Sequence, residues 1–77
     1  MYSVIIDTIG TGKKILDLRE REHVDVNELS SFIKVSVRTL KDVEKGKKSP
    51  SLKTLVGVCN FFGATLDDMI VYDLIRE

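Results

Sequence analysis

The sequence predicts an all-α domain: a compact bundle of five short helices behind a strand-like N-terminal extension. Three observations lead there. Apolar residues recur three and four apart, as in Ile15 and Leu18, in Val37, Leu40 and Val43, and in Leu52, Leu55, Val56 and Cys59. That is the period of helices with one face toward a core. Helix-starting residues precede these stretches at Asp25, Ser36, Ser51 and Thr65, while Gly46 and Gly63 stand where helices stop. Finally, 77 residues that are 43% hydrophobic and 31% charged, with one proline, suffice for one modest core and not for two.

Residues 1–9, MYSVIIDTI, are rich in β-branched side chains, and Tyr2, Val4 and Ile6 alternate with Ser3, Ile5 and Asp7 as in a short strand. A lone strand in a helical domain can pair with its copy in a second subunit, lie against its own domain, or fray. The first helix is expected from Gly10–Thr11 to about Glu22, capped by Thr8 or Thr11, with Ile15 and Leu18 inward and His23 at its end, where chains often carry glycine. The second opens on a capping box, Asp25 with Glu28, and turns Leu29, Phe32 and Ile33 to the core. A tight junction at Lys34–Val35 leads to Ser36, the cap of a third helix that runs to about Lys45 and stops at Gly46. Ser51 caps the fourth, in which Leu52, Leu55, Val56, Val58 and Cys59 form the core side through to Phe62. Thr65 and Asp68 make a second capping box for the fifth helix, which uses Leu66, Met69 and Ile70. This helix is expected to continue as a C-terminal extension over 71–77. Its stripe of Ile70, Val71, Leu74 and Ile75, beside Tyr72, is a candidate dimer interface together with Tyr2, Val4 and Ile6. The alternative is that the stripe covers the first helix or the N-terminal strand of the same chain. The predicted organisation is thus an extension at 1–9, a domain at 10–70 and a helical extension at 71–77.

The single cysteine, Cys59, excludes an internal disulfide, and with only His23 beside it a zinc site lacks ligands, so no metal or cofactor is expected. No nucleophile, base and orienting group come together in the pattern, nor does a glycine-rich phosphate loop, which argues against an enzyme. The apolar run from Val4 to Ile9 is short and broken by Asp7, so no membrane span is expected, and the absence of a basic leader points to the cytoplasm. Net charge is zero, yet residues 34–53 carry seven Lys/Arg against Asp42 and Glu44, a local balance of +5 offset by −5 elsewhere. Charge is felt over roughly 8–10 Å at ordinary ionic strength, so a basic face survives an acidic back. The third helix is apolar at Val37, Leu40 and Val43, and basic on its other side at Arg38, Lys41 and Lys45, followed by Lys47 and Lys48. Two short helices joined by a tight turn, with the second basic on its exposed side, are what a major-groove reader requires.

The run VSVRTLKDVEKGKKSPSLKTL, together with Ile15, Leu18, Arg19, Leu29, Phe62-Gly63 and Thr65-Leu66-Asp67-Asp68-Met69, resembles the Cro/C1-type helix-turn-helix family, the xenobiotic-response-element-like bacterial and phage regulators. The resemblance covers residues 10 to 70 without a gap. It implies a compact five-helix, lambda-repressor-like DNA-binding domain acting as a sequence-specific transcriptional regulator, a repressor, that binds a palindromic operator on double-stranded DNA as a homodimer. Ser36, Val37, Arg38 and Lys41 match positions that face bases or flanking phosphates. Thr39, Lys45, Lys47 and Lys48 match backbone contacts, and Arg19 and Glu44 match a structural ion pair between the first and third helices. Three positions depart from the pattern: Val26 and Lys34, where many relatives carry glutamine and glycine, and Asp42, where they often carry a basic or aromatic residue. The missing glutamine at Val26, the acidic back and the unusual N-terminus favour a second possibility, that the fold serves as an interaction module for a protein partner, such as an antitoxin or anti-repressor.

Overall fold

The computed structural model describes residues 1–76. Along the chain lie β1 (Tyr2–Ile6), α1 (Thr8–Arg21), α2 (Val26–Ile33), α3 (Val37–Glu44), α4 (Leu52–Phe62), α5 (Leu66–Met69) and β2 (Tyr72–Arg76). The five expected helices are present, and most begin where a side chain can take up a free backbone amide. Ser36 accepts from the Thr39 amide, Ser51 from Thr54, and Thr65 and Asp68 complete the reciprocal capping box of α5. Two starts differ from expectation. The cap of α1 is Asp7, whose carboxylate accepts from the Gly10 amide at 2.9 Å, so the helix begins earlier than Gly10–Thr11. At α2 the Asp25 carboxylate accepts from the Asn27 amide at 2.8 Å and from the Asn27 side chain at 3.1 Å, rather than from Glu28. Gly46 and Gly63 take left-handed backbone at helix ends, with φ of 76° and 68°.

The core is assembled from Ile15, Leu29, Ile33, Leu40, Val43, Leu55, Val58, Cys59 and Met69. Phe32, Leu52 and Val56, expected inside, are exposed instead. Phe32 lies edge-on to Phe61, ring centroids 5.1 Å apart, so it covers the outer side of α4 rather than entering the core. Gly12 is buried where α1 crosses α3, and a Cβ there would collide with the Val43 carbonyl oxygen. Glycine is what lets these two helices touch backbone to backbone.

The C-terminal extension is not helical. α5 is a single turn, Ile70 already has extended backbone at φ −95° and ψ 125°, and residues 72–76 form β2, antiparallel to β1. The register pairs Tyr2 with Arg76, Val4 with Leu74 and Ile6 with Tyr72. Residue 77, the last of the predicted extension, lies outside the described residues. The N-terminal strand therefore has its partner within the same chain. Thr11 explains how the pair is held: it is fully buried, donates its hydroxyl to the Val71 carbonyl at 3.3 Å and accepts from the Val71 amide at 3.0 Å. The Asp7 amide also donates to the Val71 carbonyl, at 2.8 Å. Both backbone polar groups of Val71 are thus satisfied at the base of the ribbon, which anchors it to α1.

Candidate nucleic-acid interface

α2 and α3 are joined by the three residues Lys34, Val35 and Ser36. Lys34 takes the glycine role in left-handed backbone, φ 67° and ψ 44°, and its amide and that of Val35 both donate to the Ser30 carbonyl, at 2.8 and 3.1 Å. A non-glycine residue there costs about 1–2 kcal/mol, and the turn keeps its short length. The Lys53 ammonium donates to the Lys34 carbonyl at 2.9 Å, tying the turn to α4.

α3 buries Leu40, Val43 and Glu44 and turns Arg38, Lys41 and Lys45 outward. At about 100° per residue these three lie within one outward arc of the helix. Asp42 lies on the same arc, half-buried, and its backbone carbonyl accepts from the amides of Lys47 (2.9 Å) and Lys48 (3.3 Å), folding the basic loop back against the helix end. Lys47 and Lys48 are exposed. Ser36 donates its hydroxyl to Thr39 Oγ1 at 2.8 Å, which leaves the Thr39 hydroxyl hydrogen available to an outside acceptor such as a phosphate oxygen. Val37 is half-buried at the first turn of α3, with part of its side chain open to an apolar contact. The eight predicted residues, Ser36, Val37, Arg38, Thr39, Lys41, Lys45, Lys47 and Lys48, therefore belong to one continuous stretch of helix and loop, and none is in the core.

Beneath this stretch, α3 is tied to α1. Arg19 on α1 forks onto Glu44 of α3, Nε to Oε2 at 2.7 Å and a terminal nitrogen to Oε1 at 3.1 Å, while its other nitrogen donates to the Val24 carbonyl at 3.0 Å. The Glu44 hydrogen bond raises the Arg19 guanidinium further above its already high value, so the guanidinium stays charged. α3 is thereby fixed to α1 at two places, by this ion pair and by the Gly12 contact.

The seven predicted dimer residues are divided by the ribbon. Tyr2, Val4, Ile6 and Leu74 share one face by register, and Ile70 meets that face at its base. Val71 is engaged with Thr11 and Asp7 instead, and Ile75 points to the opposite face with Ser3 and Ile5. Thr11 and Gly12 were not singled out by the sequence pattern for these roles. Thr11 looks like a capping residue and Gly12 like a weak point in a helix, and only the long-range contacts give them their work.

A family profile described as helix-turn-helix matches residues 15–69. Among curated relatives, the uncharacterized HTH-type transcriptional regulator MJ0272 of Methanocaldococcus jannaschii is 32% identical over 60 residues, which is 78% of this chain and 91% of that protein. The HTH-type transcriptional regulator DdrOP3 of Deinococcus deserti is 28% identical over 58 residues, 75% of this chain but 45% of its own length. Of the solved structures, the clp gene regulator ClgR from Corynebacterium glutamicum matches with a TM-score of 0.76 at 29% identity, over 80% of this chain and 66% of that one. The restriction-modification controller protein C.AhdI from Aeromonas hydrophila matches with a TM-score of 0.75 at 16% identity, over 82% and 96%, a likeness of fold alone. The chain thus spans less than half of DdrOP3 and 66% of ClgR. With a matched span that runs from the first helix to the fifth, the chain belongs to the Cro/C1-type helix-turn-helix family of DNA-binding transcriptional regulators.

Proposed function

We propose that the protein is a sequence-specific transcriptional regulator that inserts α3 into the DNA major groove, binds a palindromic operator as a homodimer and represses by occluding it. It acts by binding alone, in the compartment that holds the DNA, the cytoplasm. One observation carries this: the outward arc of α3 presents Arg38, Lys41 and Lys45, and the basic loop with Lys47 and Lys48 continues from it, on a helix fixed to α1 through Arg19 and Glu44. In this reading Arg38 makes a two-pronged contact with the O6 and N7 of a guanine, worth about 1–3 kcal/mol of discrimination, and Val37 packs on a thymine methyl. Ser36 and Lys41 flank that pair and can reach base edges or the adjoining phosphates. Lys45, Lys47, Lys48 and the Thr39 hydroxyl position the helix on phosphates without reading sequence. The absence of a net positive charge means that long-range attraction is weak, so affinity depends on base contacts and on two copies binding together.

The test is fluorescence anisotropy on a palindrome selected from random sequence, beside a scrambled duplex, at low and moderate salt. Arg38→Ala is expected to erase the preference between the two duplexes. Lys47→Ala is expected to weaken both alike and to flatten the salt slope by about one. Equal losses on both duplexes for Arg38→Ala would remove the guanine assignment. A protein that binds neither duplex would leave the fold to protein contacts.

A further inference from the structure

The first turn of α1 touches two parts of the molecule at once. On one side the ribbon holds it: the Asp7 amide donates to the Val71 carbonyl at 2.8 Å, and the Thr11 hydroxyl both donates to and accepts from the Val71 backbone. On the other side Ile9 lies against Gly46, at the start of the basic loop. A Cβ on Gly46 would stand 2.8 Å from Ile9 Cγ1, 3.1 Å from its Cα and 3.3 Å from its Cβ, so the isoleucine covers the side of the glycine where a side chain would project. The residues around Gly46 are Lys45, Lys47 and Lys48. Like charges so close repel one another, because charge is felt over roughly 8–10 Å at ordinary ionic strength, and this repulsion works to open the loop. From the α3 side the loop is held by the Asp42 carbonyl, which accepts from the Lys47 and Lys48 amides at 2.9 and 3.3 Å. From the α1 side the wall is Ile9. Its side chain is no part of the core, since Ile9 is 69% exposed.

We propose that Ile9 is a positioning residue for DNA binding: packed on Gly46, it keeps Lys45, Lys47 and Lys48 in the shape that meets phosphates. The proposal rests on the reading of that loop as a phosphate contact and adds the residue that keeps the loop folded. The Ile9 atoms nearest Gly46 are Cα, Cβ and Cγ1. Valine retains all three, whereas alanine lacks Cγ1. Alanine also favours a helix more than isoleucine does, so truncating this exposed side chain loosens the loop without lowering the stability of the domain.

The experiment joins three measurements on the full chain: amide hydrogen exchange by NMR without DNA, urea denaturation, and anisotropy on the selected palindrome and a scrambled duplex at low and moderate salt. In Ile9→Ala the Lys47 and Lys48 amides are expected to exchange about tenfold faster while those of α4 keep their rates, the signature of a local opening. Binding to both duplexes should fall by the same factor, about fivefold at 50 mM salt, against roughly tenfold for the complete loss of one phosphate contact, and the salt slope should flatten. The urea midpoint should stay at the wild-type value. Ile9→Val should match wild type in all three measurements, as should Val56→Ala, the same kind of truncation at an exposed site on α4. A lowered urea midpoint in Ile9→Ala, or a loss that Ile9→Val shares, overturns the proposal. So does weaker DNA binding with unchanged exchange at Lys47 and Lys48, since Ile9 would then meet the duplex itself. Faster exchange with undiminished binding also overturns it, and Lys47→Ala and Lys48→Ala then separate the two readings. If those lysine changes weaken binding, only the role of Ile9 falls; if they do not, the phosphate-binding loop falls with it.

Discussion

Replacing Arg19 by methionine removes three charge-assisted hydrogen bonds at once: two to Glu44, at 2.7 and 3.1 Å, and one to the Val24 carbonyl at 3.0 Å. The Glu44 side chain is only 4% exposed and that of Arg19 16%, so the stranded carboxylate cannot turn to water without disturbing the contact between α1 and α3. Breaking a buried pair on one side costs about 3–5 kcal/mol. In a domain of this size each kcal/mol lowers the melting midpoint by about 4–8 °C, so a fall of at least about 12 °C is expected. Changing both partners to methionine leaves no uncompensated charge and should recover more than half of the loss. A double-mutant cycle by urea and thermal denaturation should therefore give a coupling of about 2 kcal/mol or more. The folded fraction of Arg19→Met should still bind DNA, since Arg19 lies behind α3 and not on its outward arc. A cost below about 1 kcal/mol for Arg19→Met, the range of exposed ion pairs, would refute the view that this fork holds the reading helix in place.

Two further changes follow from the same packing. Gly12→Ala gains up to about 1 kcal/mol of helix propensity but drives a Cβ into the Val43 carbonyl oxygen, a backbone atom that cannot rotate away. Overpacking of this kind costs about 1–3 kcal/mol or more, so a net loss is expected in the urea midpoint, with weaker operator binding because α3 is displaced; equal or greater stability would refute the close approach. At α5, accepting the Thr65 amide and then the Thr65 hydroxyl contact holds the Asp68 carboxyl below the usual carboxylate range, with a smaller contribution from Lys14. A depressed folded pKa means that the stabilisation is present above the unfolded value, about 3.9, and is lost as pH falls through the folded one. The stability gap between wild type and Asp68→Asn should therefore be constant near neutrality and close below about pH 4; a gap that widens with acid would contradict the assignment.

What the sequence disclosed is what is decided locally. Ser36, Ser51 and the Thr65/Asp68 box act within one helical turn, and the basic residues of α3 keep their spacing wherever the domain sits, so α3 and its outward basic face were legible. The Arg19–Glu44 pair was legible too, through the resemblance. Ile70, Val71, Leu74 and Ile75 misled because a stripe at i, i+1, i+4 and i+5 suits a helix, while the same residues with Tyr72 between them also suit a strand. The choice was made by β1, some seventy positions away, and by Thr11, whose hydroxyl serves Val71. Phe32, Leu52 and Val56 misled for a related reason: hydrophobic period identifies a helix face but not its limits, and the face of α4 that turns inward is narrower than its run of apolar residues.

The joint at Thr11 and Val71 also has a kinetic consequence. Pairing residues 2–6 with 72–76 joins the most distant segments of the described chain, and in an unfolded polymer closing so long a loop is slow. Once the helices have packed, however, the Asp7 amide and the Val71 carbonyl are already 2.8 Å apart, and the strands close as though the whole helical domain were the turn of a hairpin. The ribbon is therefore the last element to form and the first to open. A chain still being synthesised, with its helices folded and β2 not yet made, displays α3 with its outward basic residues but no paired ribbon until translation has passed residue 76.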